Sequence, residues 1–136
     1  MNIALLAHDK KKELMTQFCT AYCGILSGHS ICATNTTGRL VREATGLPIT
    51  LYLSAAQGGA QQIGARITYN EIDLVLFFCD PQFDEGENSV VEIQRLCDRN
   101  NVPFASNIAT AEVLIQGLKR GDLDWRDIVN PKNPKK

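Results

Sequence analysis

The chain has 136 residues, 44% of them hydrophobic, and a formal net charge of -1. That length suits one domain around one sizeable core, and the interspersed acids and bases argue against a nucleic-acid binder driven by phosphate neutralisation. No run approaches the roughly 20 apolar residues of a membrane span, and MNIALLAHD is short and soon charged for a signal peptide, so a cytoplasmic protein with no membrane partner is expected.

Short apolar runs alternate with longer amphipathic ones. Strands are expected at 3–7, 30–34, 49–53, 74–78 and 103–106, mostly continuous in apolar character, as in a sheet covered on both faces. Helices are expected between them. Leu14, Phe18 and Tyr22 stripe 11–23; Leu40, Val41 and Ala44 mark 37–45; Ile63 and Ile67 mark 61–69; Val90, Ile93 and Cys97 mark 89–100. A fifth helix should begin near Thr110, turn Val113 and Leu114 inward and end at Gly117. Strand-helix alternation implies right-handed crossovers and a single three-layer α/β domain over 1–136, with a five-stranded, mainly parallel sheet and helices on both faces. Residues from about 122 to 136, with Trp125, Pro131 and Pro134, read as a C-terminal extension: a docked turn, then a loose basic tail.

Five cysteines, Cys19, Cys23, Cys32, Cys79 and Cys97, make an odd count with no CxxC pair, so disulfides are not expected. Cys19 and Cys23 lie one helical turn apart, but neither histidine, His8 or His29, is near them in sequence. Buried structural thiols and no metal are the expectation. Cys79, at a strand end beside Asp80, is the candidate for a reactive thiol.

In parallel α/β sheets ligands collect at the carboxyl ends of strands, and four loops here begin there: 7–12, 34–38, 54–60 and 79–88. The third reads SAAQGGAQQ. Its glycines Gly58 and Gly59 let backbone N–H groups approach an anion at a helix start. The loop contains no carboxylate, imidazole or thiol, so nothing in it can move a proton at neutral pH. The second loop, Thr34, Asn35, Thr36, Thr37 and Gly38, is dense in hydroxyls; it suits a phosphate, or simple helix capping by Thr36 or Thr37.

The segments LLAHDKKKEL (5–14), ATNTTGRLVREATG (33–46), GGAQQIGA (58–65), IDLVLFFCDP (72–81) and ASNIATAEVLI (105–115) together resemble the methylglyoxal synthase family, in order over nearly the whole chain. Members of that family eliminate phosphate from dihydroxyacetone phosphate to give methylglyoxal, without organic cofactor or metal, and assemble as hexamers. The resemblance implies a phosphate site at Lys12, Thr34, Asn35, Thr36, Thr37, Ser54, Ala55 and Gly59. It implies a carbonyl-end histidine at His8 and an active-site aspartate at Asp80, whose other reading is capping the turn before Pro81. It also implies a homo-oligomer.

The chain departs from the family where protons are handled. The aspartate that serves as base after the Gly-Gly pair is replaced by Ala60, and Ala55 and Ala56 stand in place of Gly-Pro. The run QFDEGENSVVE lacks the family's second histidine, and Ser89 falls near its second acid. Asp84, Glu85 and Glu87 crowd the loop where a replacement base would be sought. Two functions therefore stay open: a methylglyoxal synthase-type carbon-oxygen lyase with substitute groups, and a non-catalytic regulatory protein that binds a phosphorylated metabolite or anion.

Overall fold

The computed structural model describes residues 1–82 and 89–129; Asp84, Glu85 and Glu87 and the tail prolines and lysines lie outside them. Strands β1 (Asn2–Ala7), β2 (Ser30–Ala33), β3 (Ile49–Leu51), β4 (Leu74–Phe78) and β5 (Phe104–Ala105) form one sheet in the order β3-β2-β1-β4-β5. All four pairings are parallel. Central β1 pairs Leu5 with Ala33 on one side and Ala7 with Phe78 on the other. The chain builds outward from β1 to β3, then crosses back to β4, so the order reverses between β1 and β4.

Alternate residues of β1 divide the core into two layers. Ile3 and Leu5 pack with Met15, Phe18 and Cys19 of α1 (Lys12–Ala21), Leu26 of α2 (Cys23–Leu26), Val41 of α3 (Asn35–Thr45) and Ile115 of α6 (Ile108–Arg120). Ala4 and Leu6 face the opposite way, against Ile63 and Ile67 of α4 (Gly59–Thr68) and Ile93 and Cys97 of α5 (Ser89–Asn100). Three-layer packing with helices on both faces follows from that alternation.

Several helical faces sit differently from their expected stripes. In α3 the residue facing the core is Val41, with Thr37 and Gly38 one turn earlier; Leu40 is 40% exposed and Ala44 is exposed. In α6 the inward residues are Ala111, Ile115 and Leu118, while Val113 is 67% exposed. That helix runs through Gly117, which is buried, and stops at Gly121, where φ is 86°. Asn107 caps its start by accepting the Thr110 N–H at 2.9 Å.

Helix α7 (Trp125–Val129) closes the amino end of the sheet. Its Arg126 is fully buried, donating from Nε to Asp73 Oδ1 at 3.0 Å and from Nη2 to Asn70 Oδ1 at 2.9 Å. Nη1 reaches the carbonyl of Asn101. Asn70 and Asn101 have φ of 58° and 55°, and they end the turns after α4 and α5. One guanidinium thus pins two helix exits and the start of β4.

Candidate functional site

The strand ends gather the candidate residues in two groups. The first spans β2 and β3. Thr34 follows β2 with extended φ and ψ of -66° and 157°, and α3 begins at Asn35, two residues earlier than its apolar pattern suggests. The first intrahelical bond, Gly38 N–H to Thr34 C=O at 2.8 Å, leaves the N–H groups of Thr36 and Thr37 ahead of it at the positive end of the helix dipole. No threonine side chain makes the capping bond. Instead Thr37, 1% exposed, holds its hydroxyl buried with no hydrogen-bond partner among the described residues. Thr36 is exposed and Asn35 half-buried. Gly38 serves packing rather than ligand approach: a Cβ there would stand 2.4 Å from Leu51 Cδ2.

The third strand delivers Ser54 into a short 3-10 turn, Ala55–Gln57, and then Gly58 at φ 104° starts α4. Ala55 is exposed with ordinary negative φ, so its methyl imposes no backbone strain. Ser54 Oγ lies 3.3 Å from Gln57 Oε1. Gly59 presses on the chain behind it, for a Cβ there would lie 1.9 Å from the carbonyl oxygen of Leu53. Leu53 in turn accepts the Asn35 N–H at 3.3 Å, which joins this loop to the start of α3.

The second group sits across the β1–β4 reversal, where open α/β sheets place their ligands. Adjacent strands are about 4.8 Å apart, so β2 and β4 flank β1 at a separation of roughly 10 Å. His8 ends β1, its N–H bonded to Phe78 C=O at 3.1 Å and its ring edge-on to Phe77 at 5.5 Å. Its Nδ1 accepts the Asp80 backbone N–H at 2.8 Å. In the neutral ring the proton therefore resides on Nε2. The Asp80 carboxylate accepts the Gln82 N–H at 2.9 Å, capping the turn at Pro81. The Asp80 side chain thus caps the turn, and its backbone N–H orients His8.

Lys12 begins α1, and its ammonium pairs with the exposed carboxylate of Asp9. That hydrogen bond, then the nearby charge, holds Asp9 below the usual carboxylate range. Cys79 is half-buried, with its N–H on the Ser106 carbonyl at 3.0 Å and Sγ 3.1 Å from the Phe77 carbonyl.

Ala60 is 3% exposed and belongs to the apolar layer with Ile63, Phe77 and Ile93. It also borders a cavity of about 260 Å³ between α4 and α5, lined on the α5 side by Glu92, Ile93 and Leu96. Two residues of the region carry no local sequence signal: Glu92, one turn into α5, and Gln62, whose Oε1 accepts the Leu53 N–H at 2.8 Å.

The model of the MGS-like domain matches residues 15–106, a span that contains the threonine loop, SAAQGGAQQ and Asp80. Methylglyoxal synthase of Caldicellulosiruptor saccharolyticus is 59% identical over 133 residues, covering 97% of this chain and 94% of that protein. The chain belongs to the methylglyoxal synthase family. A second relative, the methylglyoxal synthase of Geobacillus thermodenitrificans, is 52% identical over 96% of this chain and 91% of its own length. Among solved structures, methylglyoxal synthase from Elizabethkingia anophelis NUHP1 superposes with a TM-score of 0.78 at 36% identity, covering 84% of this chain and 76% of that one. In this chain the β2 and β3 ends of the strand-end region are furnished with hydroxyls and helix N-termini. At the position where the resemblance places the base, the side chain is a methyl group in an apolar layer.

Proposed function

We propose that this methylglyoxal synthase-family chain binds dihydroxyacetone phosphate, or a closely similar small phosphorylated metabolite, with the phosphate at the α3 and α4 starts. The observation that carries this reading is the buried, partnerless hydroxyl of Thr37 at the first turn of α3. A buried hydroxyl without a partner costs about 1–3 kcal/mol, and a phosphate oxygen at the same helix start would remove that cost. Ser54, the Thr36 N–H and Lys12, released from Asp9, complete the set of donors. His8 presents Nε2–H for the ketone oxygen, held in that tautomer by the Asp80 backbone.

Elimination of phosphate starts with removal of a proton next to the ketone, passes through an enediolate and ends with cleavage of the C–O bond to phosphate. His8 and the cradle serve the second and third steps. The first has no base at residue 60, and a positioned base contributes about 100- to 10,000-fold. Binding without efficient turnover, as in a metabolite-sensing regulatory protein, is therefore the reading supported best. Glu92 supports a second one, as the described carboxylate lining the α4–α5 cavity that Ala60 borders.

The test pairs the wild-type chain with Ala60→Asp and Glu92→Gln on dihydroxyacetone phosphate, following methylglyoxal and phosphate together, with calorimetry for binding. Saturable binding, turnover at the level of the buffer blank, and a gain of about 100-fold or more in Ala60→Asp support the first reading. Wild-type turnover that disappears in Glu92→Gln supports the second. Absence of binding heat with dihydroxyacetone phosphate and inorganic phosphate refutes both.

A further inference from the structure

Leu53 is the place where the two halves of the cradle meet. Its carbonyl accepts the first N–H of α3, from Asn35 at 3.3 Å, and the start of α4 presses on the same oxygen through Gly59, which has no room for a Cβ. The neighbouring carbonyl of Ser54 accepts the Gly59 N–H at 2.9 Å. The Leu53–Ser54 segment therefore sets the separation between the two helix starts. What holds Leu53 from the other side is its N–H, in the peptide just ahead of that carbonyl, which donates to Gln62 Oε1 at 2.8 Å. β3 has ended at Leu51, so no strand partner holds it. Gln62 stands on the first turn of α4, its own N–H bonded to Gly58 C=O at 3.1 Å, and reaches back nine residues along the chain.

We propose that Gln62 is a positioning residue: by clamping the Leu53 N–H it holds the α3 and α4 N-termini at the spacing that one phosphate requires. The inference rests on the phosphate reading given above. Gln62 touches neither Thr37 nor Ser54 in any described bond, and its side chain is exposed, so it acts through Leu53. Donor placement on the scale of tenths of an ångström decides how well a charged oxygen is bound, because hydrogen bonds weaken steeply off their preferred geometry. An exposed glutamine is a poor source of fold stability, which separates its positioning role from a structural one.

The test uses Gln62→Met, of similar length with no oxygen acceptor, and Gln62→Glu, which keeps the acceptor. Amide hydrogen exchange is read at Leu53, Asn35 and Gly59, and inorganic phosphate is titrated calorimetrically. In Gln62→Met, exchange should rise by about tenfold at all three amides, with the global unfolding midpoint nearly unchanged and the phosphate Kd raised about three- to tenfold. In Gln62→Glu, exchange should return to the wild-type rates; affinity is not compared there, because the new charge itself repels phosphate. Faster exchange at Leu53 alone, with Asn35 and Gly59 unaffected, overturns the proposal. So does an unchanged phosphate Kd in Gln62→Met when the wild type binds. A wild-type chain that binds no phosphate refutes the cradle reading and, with it, the claim that the spacing serves phosphate; the exchange rates then still decide whether Gln62 couples the two helix starts.

Discussion

Under the proposed phosphate reading, Thr37 is where folding and binding make opposite demands on one atom. Its hydroxyl is buried without a partner in the ligand-free chain, so Thr37→Val, nearly isosteric, should raise stability by about 1 kcal/mol. The same change should weaken phosphate binding by about tenfold, and urea unfolding beside a phosphate titration measures both. Gly59→Ala acts in one direction only. Its Cβ would fall 1.9 Å from the Leu53 oxygen, so backbone must move, and a loss of about 2–3 kcal/mol is expected. Sequence alone reads Gly59 as room for an anion and Gly38 likewise; in both cases the missing Cβ is first required by protein atoms. The bond between His8 and Asp80 shows a related blindness. No side-chain pattern announces it, because the link uses a backbone N–H that every residue but proline carries.

The seven described helices and five strands follow the alternation of apolar runs, and only their edges and faces escape it. Gly117 and Gly121 compete to end α6, and local sequence offers no way to tell which adopts positive φ; burial of Gly117 against Asp122 decides it. Sequence reads the stretch from about 122 as a docked turn and is silent on its means of docking, because an arginine reads as surface until its partners, 25 to 56 residues away, are brought to it. Removing that guanidinium takes the ion pair from a buried carboxylate. Arg126→Met should therefore cost about 3–5 kcal/mol, a large share of the roughly 5–15 kcal/mol that holds a domain together. The double variant Arg126→Met, Asp73→Leu should recover most of the loss, since it removes both charges. Chemical denaturation of the two variants tests this.

At the scale of the whole molecule, both core layers contain thiols that burial keeps protonated. Cys19 and Cys97 are pushed up to about 12, and Cys32 to about 11, from an ordinary value of 9.0. Above pH 9 the unfolded chain gives up these protons while the folded chain retains them, so the stability they contribute is complete below about pH 9 and declines toward pH 11–12. Urea midpoints measured from pH 7 to 11 should fall through that window, and less steeply in Cys97→Ala. The same burial predicts that iodoacetamide at pH 8 modifies no more than Cys23 and Cys79 of the native chain, with all five reacting once it is unfolded. The sheet order itself, with its reversal at β1 and β4, was legible only as far as parallel pairing. Order depends on which hydrophobic edges meet, and near-continuous apolar strands look alike from either side.

The Arg126–Asp73 pair also has a direction in time. Synthesis runs from the amino terminus, so every strand of the sheet is available before residue 126 is made. Until then the carboxylate at the head of β4 keeps the Asn2 N–H but lacks the Arg126 guanidinium, and closing the amino end of the sheet would bury its charge without that ion pair. A nascent chain is thereby kept from settling early, and one cut short before α7 carries the mark of its own incompleteness.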